Sequence, residues 1–78
     1  MEIAMLMRHL ATAETHVRQG ECHIDQQRKL VAELERDGHA SAALARQLLR
    51  DFEALQQQHI QTRDLLRSEI ERATRAAR

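Results

Sequence analysis

The stretch Val31-Ala32-Glu33-Leu34-Glu35-Arg36-Asp37-Gly38-His39-Ala40-Ser41-Ala42 decides the fold. Gly38 follows the last apolar position of a long periodic run. With no Cβ, glycine readily takes the left-handed conformation that ends helices. Ser41 comes shortly after, where its hydroxyl is placed to accept from the first free N–H groups of a following helix. A connection this short makes antiparallel neighbours of the helices it joins. The stretch predicts one domain, an all-α antiparallel two-helix hairpin with coiled-coil-like packing. Its helices run over about 2–37 and about 42–75, with the turn at 38–41.

Upstream, Ile3, Leu6, Leu10, Ala13, Val17, Gly20, Ile24, Gln27, Val31 and Leu34 are spaced 3-4-3-4 without interruption. In heptad letters the a positions are Ile3, Leu10, Val17, Ile24 and Val31. The d positions are Leu6, Ala13, Gly20, Gln27 and Leu34, so the polar and glycine breaks fall only at d. Downstream, Ala45, Leu48, Phe52, Leu55, His59, Thr62, Leu66, Glu69, Ala73 and Ala76 repeat the spacing. A fold at residues 39–40 then sets Ala13 against Leu66, Leu6 against Ala73, Leu34 against Ala45 and Gly20 against His59. Large faces small, as interdigitated packing requires. Glu69 is a misfit in this stripe, and Ile70 beside it points to a drift of one residue. On the outer faces Glu14–Arg18, Asp25–Lys29 and Glu71–Arg75 have the i,i+4 spacing of helix-supporting ion pairs.

The whole chain agrees with a helical reading. It has 78 residues, no proline and two glycines, and Phe52 is its only aromatic residue among Phe, Tyr and Trp. Too few aromatic and β-branched residues remain to build a sheet. A core of this size rarely supplies more than about 3–5 kcal/mol, so a metal, a partner or self-association is expected. Cys22 is the single cysteine. That excludes an internal disulfide and suits a reducing cytoplasm. The longest apolar run, Ile3–Met7, is far shorter than the roughly 20 residues of a membrane span. Twelve basic and twelve acidic residues cancel, leaving no long-range attraction for nucleic acid or an anionic membrane.

Arg8-His9-Leu10-Ala11, Glu14 with His16-Val17, Gly20-Glu21 with His23-Ile24, Glu33 through His39, Leu48-Leu49, Phe52-Glu53, His59 and Arg63-Asp64 together resemble a group of short uncharacterised proteins of rhizobium-like bacteria. The resemblance spans most of the chain and implies a bacterial protein. That group has no assigned activity, so it lends no functional residue.

The residues with chemistry to offer are the histidines. His9, His16 and His23 recur every seven residues, each just before an a position. The hairpin register brings His59 over Gly20, between His16 and His23. A transition-metal site on His16, His23 and His59 is one reading, since imidazole suits zinc, copper or nickel. Against it, His16 and His23 lie about 10 Å apart along the helix axis, too far for one ion. Recognisable helical sites use His pairs at i,i+4 or Glu-x-x-His, and neither occurs here. The favoured reading is a polar layer that sets register, with Gly20 making room for the His59 ring. Cys22 sits at f, the outermost position, with no base beside it on its helix, and reads as a passive thiol. Arg63, Arg67, Arg72, Arg75 and Arg78 are interleaved with acids and lack an aromatic platform, so they read as a solvated face rather than a nucleic-acid surface.

No catalytic constellation, cofactor site or phosphate loop emerges, and a two-helix hairpin lacks an enclosed pocket. The expected function is a self-associating protein–protein interaction module, not an enzyme. It would act as a cytoplasmic homodimer forming a four-helix bundle or dock on another helical protein, with Leu30, Leu44, Leu49, Phe52, Leu65 and Ile70 at the interface. The alternative is a metal- or small-ligand-binding protein using the histidine cluster. A nucleic-acid accessory role is a weaker third.

Overall fold

The computed structural model describes residues 2–77 and consists of two helices, α1 (Ile3–Arg36) and α2 (Ala42–Ala76), packed side by side as an antiparallel hairpin. Helix covers about nine-tenths of the described residues, and Gly20 does not interrupt α1. An interior glycine costs only about 1 kcal/mol, which several turns of packing outweigh.

The turn is set by backbone hydrogen bonds. Gly38 has φ +62°. Its N–H donates to the Glu35 carbonyl at 3.2 Å, and the His39 N–H donates to the Leu34 carbonyl at 2.8 Å. This pair of bonds is the Schellman arrangement, and it satisfies carbonyls that the end of α1 leaves free. The start of α2 differs from expectation. Ser41 makes no side-chain capping bond, because its backbone is already helical (φ −79°, ψ −2°) and not in the extended conformation that aims a capping hydroxyl. His39 takes over. Its Nδ1 accepts from the Ser41 N–H at 3.0 Å, and its carbonyl accepts from the Ala42 N–H at 3.1 Å.

The seam of α1 follows the sequence reading, with Leu6, Ala13, Val17, Ile24, Gln27 and Val31 buried. The phase of α2 does not. The buried residues are Ala42, Ala45 and Gln56, and Leu49, Arg63 and Ile70 are half-buried. Leu48, Leu55 and Thr62 are exposed. Both stripes share Ala45, Phe52, His59, Leu66 and Ala73. They differ by one residue in the positions between, and the helix uses Leu49, Gln56, Arg63 and Ile70 in place of Leu48, Leu55, Thr62 and Glu69. Only this phase brings Ala42, Leu49 and Ile70 inward together.

Two buried amides lock the register. Gln27 Nε2 donates across the seam to the Ala45 carbonyl at 2.9 Å, and Gln56 Nε2 donates back to the Val17 carbonyl at 2.8 Å. Gly20 therefore faces Gln56 and not His59. A Cβ on Gly20 would lie 1.8 Å from Gln56 Oε1 and 2.7 Å from its Cδ. The Val17 carbonyl can only accept, so the amide's nitrogen must point to it and its oxygen toward Gly20. Buried there, Oε1 accepts no conventional hydrogen bond from the described residues. It meets the Cα–H of Gly20, a weak donor.

The molecule is a rod of 61 × 14 × 13 Å with a radius of gyration of 17.6 Å. A compact domain of this length has a radius of gyration of about 11.5 Å. The core is correspondingly thin. Its buried apolar residues are Leu6, Ala13, Val17, Ile24, Val31, Ala42 and Ala45, and no large side chain is fully enclosed.

Candidate interaction face

The two flanks of the seam differ in chemistry. One flank, the e positions of both helices, carries three ion pairs across the seam, with the uncharged Ile60 and Met7 also on it. Arg67 reaches Glu14 at 3.2 Å, Arg28 reaches Glu53 at 3.4 Å, and Arg46 approaches Glu35 at 3.8 Å. These bridges cross between helices at heptad spacing. They replace the i,i+4 pairs expected along single helices: Glu14 turns to Arg67, Arg18 donates to the Thr15 hydroxyl, and Asp25–Lys29 and Glu71–Arg75 are not among the ion pairs of the described residues. Each bridge is solvent-exposed and worth at most about 1 kcal/mol. They line the seam rather than hold the hairpin together.

The other flank, the g positions and the c positions beside them, carries almost no charge. On α1 it presents Met5, His9, His16, His23 and Leu30, and on α2 Leu44, Leu48, Leu55 and Leu65. Seven large apolar side chains of the described residues are exposed, and all but Met7 lie on this flank. Leu44 is 73% exposed and Leu65 61%. Between Met5 and Leu30 on α1, and between Leu44 and Leu65 on α2, the only formal charge at its c and g positions is Asp51. Among the expected interface residues, Leu30, Leu44 and Leu65 stand on this exposed face, with Phe52 half-buried at its edge. Leu49 and Ile70 turn into the seam, and their places outside are taken by Leu48 and Leu55. This exchange follows from the one-residue phase difference.

The histidines separate into two contacts. The rings of His16 and His59 lie 5.1 Å apart, centre to centre, tilted by 47°. His23 packs instead against Phe52 at 5.9 Å. All four rings border one open groove of about 140 Å³ whose floor is Gly20 and Gln56. Among the described residues no three His, Cys, Asp or Glu side chains are grouped closely enough to hold an ion together. The structure thus brings together two of the three histidines singled out in the sequence. Gln56 was missed because glutamine reads as surface. Its signal in the sequence was its place four residues after Phe52.

Of the arginines of the second helix, Arg63 pairs with Asp64, Arg67 with Glu14 and Arg72 with Glu69. Arg78 lies outside the described residues. Cys22 is exposed. Among the described residues, no helix is long and apolar enough to cross a membrane. No protein-family model, curated protein or solved structure matches this chain.

Proposed function

We propose that the hairpin is a self-associating interaction module, a binding rather than a catalytic protein, whose uncharged flank docks on the same flank of a second copy to form a twofold four-helix bundle. The observation that carries this is the concentration of exposed Leu and Met on one side of a rod whose other side is closed by ion pairs. A thin core gains most from covering that side, at about 25 cal/mol per Å² of apolar area removed from water. The choice of a second copy rests on charge and size. An uncharged face meets its twin without like-charge repulsion, whereas a strongly charged partner would find no counter-charge there. A face running the length of a 61 Å rod offers on the order of 800 Å² per copy, the area of a standard stable interface. A reducing cytoplasm suits the exposed Cys22 thiol.

Light scattering in EDTA should report twice the 9.0 kDa chain mass. The melting temperature should rise with protein concentration, because association stabilises by mass action. Leu55→Glu and Leu48→Glu should each lower the mass to that of one chain. A monomer at high micromolar concentration with a concentration-independent melt would refute self-association.

A further inference from the structure

We infer that His16 and His59 form half of a tetrahedral zinc site, completed by the same two histidines of a second copy. The inference rests on the self-association proposed above and adds a ligand to it. Three observations converge on it. First, the expected packing role for His59 is gone, because the space over Gly20 belongs to Gln56. Second, the two rings stand 5.1 Å apart on one open groove. Imidazoles bound to one tetrahedral zinc at about 2.0–2.1 Å have ring centres about 5 Å apart. The centroid separation of the pair thus matches that of two ligands of one zinc. Third, the pair sits at mid-length. His59 is the central residue of α2, and His16 lies about one turn from the centre of α1. A twofold axis through the pair therefore overlaps two rods along most of their length, and brings four imidazoles together at the axis. One hairpin supplies only two close ligands, so the site is incomplete without its twin.

The neighbouring histidines set the specificity of the test. His23 is engaged with Phe52, and His9 lies about two turns of α1 from His16. Neither is predicted to be a ligand. Neutral imidazole is the binding form, so the metal should be released by acid as well as by chelator.

The experiment uses the full chain without a histidine tag, stripped with EDTA and titrated with Zn²⁺. Calorimetry should give one zinc per two chains, with the melting temperature rising as zinc is added. Co²⁺ in the same site should give the intense visible absorption of tetrahedral coordination. His16→Ala and His59→Ala should each weaken zinc binding at least tenfold and abolish the cobalt band, while circular dichroism shows the helices intact. His9→Ala and His23→Ala should leave both signals in place. One zinc per chain, binding that survives loss of His59, or no binding at micromolar zinc would each overturn the site. The two proposals fail separately: a dimer in EDTA that ignores zinc removes the site and keeps self-association. A chain that stays monomeric in EDTA and in zinc removes both.

Discussion

Gly20→Ala is the substitution that probes the core most directly. Its added Cβ would occupy the position of the Gln56 amide, 1.8 Å from Oε1 and 2.7 Å from Cδ. The amide must leave, and with it goes the buried bond from Nε2 to the Val17 carbonyl. Losing that bond costs about 1 kcal/mol. Emptying the space the side chain fills costs roughly another 1 kcal/mol. Against these, alanine favours the helix over glycine by about 1 kcal/mol. The balance is a destabilisation of about 1 kcal/mol, a fall in melting temperature of roughly 4–8 °C for a chain of this size. With Gln56→Ala already in place nothing obstructs the methyl, and only the propensity gain remains. Gly20→Ala should then stabilise by about 1 kcal/mol. The reversal of sign amounts to a coupling of about 2 kcal/mol, well above the roughly 0.3–0.5 kcal/mol scatter of independent sites. Thermal melts followed by circular dichroism at one fixed protein concentration measure all four corners of the cycle. If Gly20→Ala raised the melt equally in both backgrounds, the glycine–glutamine contact would be wrong. The same cycle run with His59→Ala should show no coupling, since that ring faces His16.

Gly38→Ala should destabilise by about 1–2 kcal/mol, because φ +62° is strained for any residue with a Cβ, and the melt should report it directly. Gln27→Ala should cost about 1–2 kcal/mol by removing the bond to the Ala45 carbonyl and leaving space in the seam, measured by urea unfolding. Arg28→Ala should lower stability by no more than about 0.5–1 kcal/mol, and the difference from the parent chain should vanish in molar salt.

The hairpin and its turn were legible because backbone rules alone specify them. Gly38 ends one periodic run before another begins, and no competing structure suits an alanine- and leucine-rich chain without proline. The phase of the second helix was not legible, because Leu48-Leu49 offers an apolar residue to either stripe, and Leu55 in one is offset by Ile70 in the other. Counting hydrophobic residues does not choose, since Leu48 and Leu55 in one stripe are matched by Leu49 and Ile70 in the other. What accompanies the observed phase is pairwise: with Leu49 and Gln56 inward, Gln56 bonds the Val17 carbonyl, and Arg46, Glu53 and Arg67 stand against Glu35, Arg28 and Glu14. The seam position of Glu69 was the visible sign of the error, since Ile70 takes that place. The meeting of His59 with His16 was legible from the hairpin register, but the departure of His23 to Phe52 was not. A shift of three residues in register, nearly one turn, moves Gln56 over Gly20 in place of His59 and leaves His59 beside His16.

The paired amides at Gln27 and Gln56 also shape how the molecule comes apart. Gln27 ties residues 18 apart in sequence and Gln56 ties residues 39 apart, whereas the Glu14–Arg67 bridge spans 53. Contacts in such a rod are graded by distance from the turn, so it should unzip from the open end, with amide exchange fastest near Ile3 and Ala76 and slowest around Val31 and Ala45. The Gln56–Val17 bond is a catch halfway along. In an antiparallel pair of rods, each copy's turn lies against the other's open end. In the proposed dimer the firm end of one hairpin would clasp the loose end of its twin, and exchange at the ends should slow more than exchange at the turn as the protein is concentrated.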